Sequence, residues 1–378
     1  MITPPSSLVA LYVSVMIGII PPADSLSFIP RIPNFFNNAP APAPAPAAAM
    51  SNVATTSNKS AFRFRYTHLE GNGQLWQIDA PSANGSPTND EEDATAALVS
   101  VVVDPLASQL DFGIPWGYRA NKNVLSEDDT IDVICRARPS HCLLTMGLDD
   151  HTHLPTLRKL MERMPDLRYV VAPSCRAKLT GGLGIGIDRI TVLDHGQSCD
   201  TSDDDGGGCG GGAMVTATRG ALVGPPWQKR ENGYLLEFPR PGVGTGGRGR
   251  GSLSVYYEPH GDVILDDIKA VRADVLVSPV TKQSLPAQVP PRGQFTLVYG
   301  GERTLQIAEA LGARVIVPLG NGALDIEGPL AGLVCASGNV DDFEELVARR
   351  NDAGGVRATD DCMIVERSTP GVPLTILI

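Results

Sequence analysis

The sequence predicts an α/β fold, a four-layer αββα sandwich in which two mixed β-sheets are flanked by helices. Three observations predict it. Short apolar runs bounded by turn residues recur between Gln74 and Tyr257, as strands do. Strands alternate with helical patterns from Leu276 onward. The segments also divide into two similar halves, with no linker rich enough to make them independent domains. A sheet is apolar on at least one face and must bury that face, so two strand-rich halves punctuated by helices stack as layers.

The elements follow in order. Gln74–Ile78 reads as a strand, and Leu98–Val103 as another that stops at Asp104-Pro105, where a central strand does not tolerate proline. Cys142–Met146, Arg168–Ala172, Ile190–Leu193, Met214–Thr218, Gly233–Phe238 and Leu253–Tyr257 follow. Leu157–Met164 carries apolar residues at 157, 160, 161 and 164, one face of a helix. Leu276–Val280 and Val315–Val317 read as strands, and Thr304–Leu311 and Val340–Arg349 as helices. Three tracts, Ser82–Ala96, Ser198–Gly212 and Pro241–Gly251, lack apolar periodicity and read as surface insertions. The second is either a hinge or, on the preferred reading, an expanded hairpin loop.

Composition narrows the function classes. The chain has 378 residues, 42% hydrophobic and 19% charged, which is globular rather than disordered. A net charge of −11 argues against nucleic acid, whose phosphates need clustered Lys and Arg. The seven Cys are scattered without a CxxC pair, so neither a disulfide framework nor a zinc ribbon is expected. Cys199 and Cys209 flank a Gly/Asp tract; they could pair, but on the preferred reading they are free thiols in a loop.

Residues 1–60 read as a targeting segment with a spacer, and 61–378 as the folded domain. Leu8–Ile20 is apolar but short for a bilayer span, and suits a signal-peptide core. No acidic residue occurs from Ser25 to Leu69, while Arg31, Lys59, Arg63 and Arg65 are basic. The Ala-Pro repeat at Ala39–Ala49 is an extended spacer. The whole resembles the bipartite leader of algae with secondary plastids, which implies a plastid location, with secretion or the endomembrane system as the alternative. No membrane span is expected in the mature chain.

Common fingerprints are missing. There is no GxxxxGK[ST] loop, no GxSxG elbow and no HExxH. What survives is a cluster after the strand Cys142–Met146, where Asp150, His151 and His153 offer a carboxylate and two imidazoles, donors suited to zinc or iron. Glu258 and His260 form a second cluster after Leu253–Tyr257. The alternative is structural: an Asp ahead of a helix is an ordinary N-cap, and a lone His after a strand is an ordinary hydrogen-bonded side chain.

From Phe64 to Ile378 the chain resembles the metallo-β-lactamase superfamily, and within it a group from plant and algal plastids and cyanobacteria. The matching stretches are Leu69-Glu70-Gly71-Asn72, Asp104-Pro105, Leu110–Trp116 and Leu148-Asp149-Asp150-His151 with His153. Further matches are Gly224–Gln228, Glu231–Tyr234, Tyr256–His260, Pro279-Val280 with Lys282-Gln283, and Pro318 with Asn321-Gly322. Active members carry HxHxDH; here Met146 and Leu148 replace the leading His, and only Asp150-His151 remains. No His follows Met214–Thr218, the bridging Asp falls at or near His260, and the final His falls near Gly320.

The resemblance therefore implies a metal-dependent hydrolase with a degenerate, at most mononuclear site. One zinc ion would sit on Asp150, His151 and His260, helped by His153 or Glu258. Asp150 and His151 would be the catalytic pair, with metal-bound water as nucleophile. The alternative is a non-catalytic descendant that binds a small molecule or a protein. Trp116, Trp227, Tyr234 and Tyr257 would then line the pocket, with Gln228 and Asn232 as polar anchors, or else pack in the core.

Overall fold

The computed structural model describes residues 63–79, 99–202, 212–223, 227–239, 252–285, 295–321, 323–353 and 362–378. The leader, the tracts 82–96 and 241–251, most of 198–212 and Cys209 lie outside the described residues. The strands, in chain order, are β1 (Arg63–His68), β2 (Gln74–Asp79), β3 (Val99–Val103), β4 (Arg119–Asn121), β5 (His141–Leu144), β6 (Arg168–Val171), β7 (Ile190–Val192), β8 (Ser198–Asp200), β9 (Met214–Arg219) and β10 (Asn232–Pro239). They continue with β11 (Ser252–Tyr257), β12 (Val275–Pro279), β13 (Lys282–Leu285), β14 (Phe295–Val298), β15 (Val315–Leu319), β16 (Asp325–Glu327), β17 (Cys335–Ser337), β18 (Ile364–Val365) and β19 (Leu374–Leu377).

Two seven-stranded sheets carry the architecture, ordered β19-β1-β2-β3-β5-β6-β7 and β18-β15-β12-β11-β10-β9-β8. Each is mixed. In the first, β1, β2 and β3 run antiparallel, and β3, β5, β6 and β7 run parallel. In the second, β8 to β11 are antiparallel, and β11, β12, β15 and β18 parallel.

The inner faces share one apolar cluster. Trp76 and Tyr66 of the first sheet join Tyr234, Tyr257 and Val277 of the second, all buried. Trp76 meets Tyr257 edge-on at 6.0 Å between ring centres, the arrangement the ring quadrupoles favour. Helices Glu127–Ala137 and Leu154–Arg163 cover the outer face of the first sheet through Ile131, Ile134, Leu157 and Leu160. Helices Leu265–Ile268, Gly301–Leu311 and Val340–Ala353 cover that of the second through Ile268, Ile307, Leu311, Phe343 and Val347. The expected four-layer αββα sandwich is the observed fold.

Two departures from the sequence reading have physical reasons. Helix Glu127–Ala137 was not expected from periodicity. Ser126 Oγ accepts from Asp129 N–H at 3.1 Å, and Glu127, Asp128 and Asp129 fill the first turn. These acidic residues complement the helix dipole and mask a narrow apolar face. The start of the second tract is also ordered: Ser198–Asp200 pairs antiparallel with β9 and Thr201 is buried. Cys199 is a free thiol on that edge strand.

The layers gather one set of loops. The carboxyl ends of β3 and β5 in one sheet, and of β11, β12 and β15 in the other, open toward a common cleft, the usual place for chemistry in parallel strands. The β1–β2 turn reaches the same end. Its residues Glu70 and Gly71 both have positive φ, 65° and 57°, and Glu70 is held because its carboxylate accepts from the N–H groups of Asn123, Val124 and Leu125. A small sheet of β14, β13 and β17 forms a further wall.

Candidate functional site

The centre of the site is His151, which is fully buried. Its Nδ1 lies 2.8 Å from Asp104 Oδ2 and 3.1 Å from Thr145 Oγ1, and its Nε2 lies 3.3 Å from Asp150 Oδ2. Asp104, at the end of β3, has φ 41°, a left-handed conformation that Asp tolerates better than most residues. It also accepts from Thr145 N–H at 2.9 Å, Thr145 O–H at 2.6 Å and Tyr257 O–H at 3.2 Å. Burial by itself lowers the imidazole pKa, but the carboxylates of Asp150 and Asp104 outweigh it and raise His151 well above the ordinary range. Asp150 is held below the ordinary carboxylate range because the neighbouring imidazolium overcomes its burial. The three side chains form a carboxylate–imidazolium–carboxylate unit, with Asp104 and His151 fully buried and Asp150 at its partly exposed edge.

His260 faces this unit with its ring centre 5.3 Å from that of His151. Burial, then the His151 charge, push it down to about 3, so it is neutral. Glu258 is fully buried; its Oε2 accepts from the N–H groups of His260 at 3.2 Å and Asp262 at 2.8 Å. Burial, then Asp262, raise it to about 7. The cleft, about 90 Å³, is lined by Asn72, Asp150, His260, Gln283 and Asn321 between apolar walls that include Phe112 and Phe295.

Several sequence-predicted residues lie elsewhere. His153 does not line the cleft. It occupies the N-cap position of helix Leu154–Arg163, with Nδ1 2.8 Å from Thr156 Oγ1, because the chain turns between His151 and the helix. Trp116 and Trp227 are 52% and 86% exposed, and Gln228 is exposed too. Around Trp116 the inward positions are taken by Phe112, Ile114 and Tyr118, which fill a separate apolar cluster. Tyr257 and Tyr234 are core residues. Asn232 is buried beneath the loop, donating to Leu193 O at 2.9 Å and Tyr234 Oη at 3.0 Å. The aromatic pocket built from sequence is thus replaced by one whose polar members Asn72 and Asn321, with the supporting Asp104, had been given no role. All three stood in recognised stretches of sequence, but nothing local marked them as neighbours.

The donor set does not fit the metal centre that the resemblance implies. Among the described residues, no three His, Cys, Asp or Glu side chains form a metal-binding group. Both nitrogens of His151 face carboxylates, and Glu258 commits one oxygen to two backbone N–H groups. Met146 is buried and Leu148 lines the cleft; neither ligates zinc well. Two further positions are sterically closed. A Cβ at Gly220, directly after β9, would stand 2.6 Å from Gly233 N; one at Gly320, directly after β15, would stand 2.8 Å from His68 Cε1. Gly320→Ala is therefore expected to cost about 1–3 kcal/mol in a urea melt. His68→Ala in the same chain should recover part of that loss, and strict additivity of the two changes would refute the contact.

The family described as "Beta-lactamase superfamily domain" matches residues 95–320, more than half of the chain. The chain belongs to this family. Its αββα sandwich is the fold expected of such a member. No curated protein matches the sequence. Among solved structures, it is similar to Igni18, a metallo hydrolase from the archaeon Ignicoccus hospitalis, at 14% identity and TM-score 0.46, covering 84% of this chain and 98% of that one. It is similar to YhfI of Bacillus subtilis, a metallo-β-lactamase fold protein, at 11% identity and TM-score 0.44, covering 84% and 100%. It is also similar to CmlA, a diiron β-hydroxylase from Streptomyces venezuelae, at 15% identity and TM-score 0.46, covering 86% of this chain and 55% of that one. Among the described residues, no helix is long and apolar enough to cross a membrane.

Proposed function

We propose that this member of the superfamily binds a small molecule in the old catalytic cleft and has left the family's two-metal hydrolysis. The observation that carries this reading is the state of His151, whose two ring nitrogens face Asp104 and Asp150. Two hydrolytic metals need a bridging carboxylate and several ligands each to hold an activated hydroxide. Here the one surviving Asp-His pair is engaged internally. An ion pair between the imidazolium and its two carboxylates, buried Asp104 and partly exposed Asp150, gives the loop an organising charge of its own, in the place where other members use a cation.

The cleft itself supports the ligand. It joins apolar walls to a few polar groups, the usual composition of a small-molecule site. The acidic net charge and the lack of a phosphate-binding loop speak against polyanions. The acid-free stretch from Ser25 to Leu69 supports a plastid address for the protein, with secretion as the alternative.

Metal analysis tests the reading. Full-length protein from cells grown with added zinc, iron and manganese is expected to carry less than about 0.2 equivalents of each, and its melting temperature should not respond to EDTA. Stoichiometric metal that is lost in both His151→Ala and His260→Ala would overturn it in favour of a mononuclear hydrolase site.

A further inference from the structure

Asn72 is 6% exposed and His260 8%. Asn72 Oδ1, Asp150 Oδ1, His260 Nδ1 and Asn321 Oδ1 are all buried, and none has a hydrogen-bond partner among the described residues. All four residues line the same cleft. The orientation of the Asn321 amide is fixed from the other side. Asn321 Nδ2 donates to Pro259 O at 3.2 Å, so its oxygen is left over; the Asn72 amide nitrogen lies 3.2 Å from Asp150 Oδ2 and 3.1 Å from His151 Nε2. Three of the four unpartnered atoms are oxygens that only accept. Among the described residues that line the cleft there is one carboxylate, Asp150, and no Lys or Arg.

We propose that the cleft is a binding site for a small organic cation, a protonated primary amine on a short apolar body. The proposal rests on the ligand-binding reading above and names its substrate class. An ammonium brings three N–H donors and one positive charge, matching the unpartnered oxygens of Asp150 and Asn321. Its stem lies against the apolar wall, where the rings of Phe112 and Phe295 also favour a cation. At roughly 10–15 Å³ for each water-sized position, 90 Å³ takes a ligand of about six to nine non-hydrogen atoms. A carboxylate or phosphate of that size would bring further acceptors to a site already rich in them. The net charge of −11 draws cations toward the protein.

Calorimetric titration of the full chain tests this with three probes of matched size: 2-phenylethylammonium, 2-phenylethanol and benzoate, each to about 10 mM, alongside zinc chloride. The amine is expected to bind at least about tenfold tighter than the alcohol, with the carboxylate weakest. Asp150→Asn should erase that preference. Asn321→Lys, which tethers an ammonium inside the cleft, should erase amine binding by a second route. Circular dichroism melts confirm that each variant folds, and either one suffices if the other does not. Alcohol or carboxylate binding as tight as the amine overturns the cation assignment and leaves the ligand-binding reading standing. No binding by any organic probe also overturns it, and zinc binding in that same case overturns the ligand-binding reading as well.

Discussion

Asp104→Ala is expected to destabilise the protein by about 3–5 kcal/mol, the loss seen when one partner is removed from a buried ion pair. Four donors converge on this one carboxylate: Thr145 N–H, Thr145 O–H, the His151 imidazole and Tyr257 O–H. Removing it leaves the His151 charge buried beside Asp150 alone. It also places an alanine at φ 41°, which adds backbone strain. Asp104→Asn keeps the shape, an acceptor oxygen and a residue tolerant of that backbone, and should lose clearly less. Urea denaturation at pH 7 measures both. An alanine variant within about 1 kcal/mol of the parent would refute the organising role given to Asp104.

The second expected effect has the opposite sign. A carboxyl group whose pKa is raised on folding lends stability that is complete below its unfolded value and is lost as pH rises through the folded value. For Glu258 those limits are 4.5 and about 7. Above pH 7 the ionised side chain is therefore a burden on the fold. Glu258→Gln removes the titration and keeps an acceptor for the N–H groups of His260 and Asp262. The variant should match the parent near pH 4 and gain on it between pH 4.5 and 7. At about 1.4 kcal/mol per pH unit, it should end roughly 3 kcal/mol more stable at pH 8. His260, pushed down to about 3, works in the other direction: its contribution is lost as pH falls below the ordinary imidazole value. It is common to both proteins and cancels in the difference. A Gln variant less stable than the parent at pH 8 would show that Glu258 is ionised and paired instead.

The site was legible in part. The loops after Cys142–Met146 and Leu253–Tyr257 meet in space, and Asp150, His151 and His260 come together across the two sheets. Glu258 is close behind them, its Oε1 4.0 Å from His260 Nδ1. His153 was indistinguishable from a ligand in sequence, since two residues along a loop carry no fixed direction, whereas two along a strand do. Trp116 and Trp227 misled for a related reason: outside regular elements, a large aromatic residue has no period that says which way it points. Asp104 and His151 are 47 residues apart and meet only because β3 and β5 are parallel neighbours.

The sequence by itself determined the layers and the strand ends after which Asp150, His151 and His260 stand. Those follow from apolar periodicity and residue identity, which are local. Only the tertiary structure decided that His151 is enclosed between two carboxylates, that a Cβ at Gly220 would meet the Gly233 backbone and one at Gly320 the His68 ring, and that Asp150, His260 and Asn321, each with an unpartnered polar atom, line one cleft. Each of these depends on strands distant in the chain coming into register, where burial removes water and makes every partner of a polar atom count.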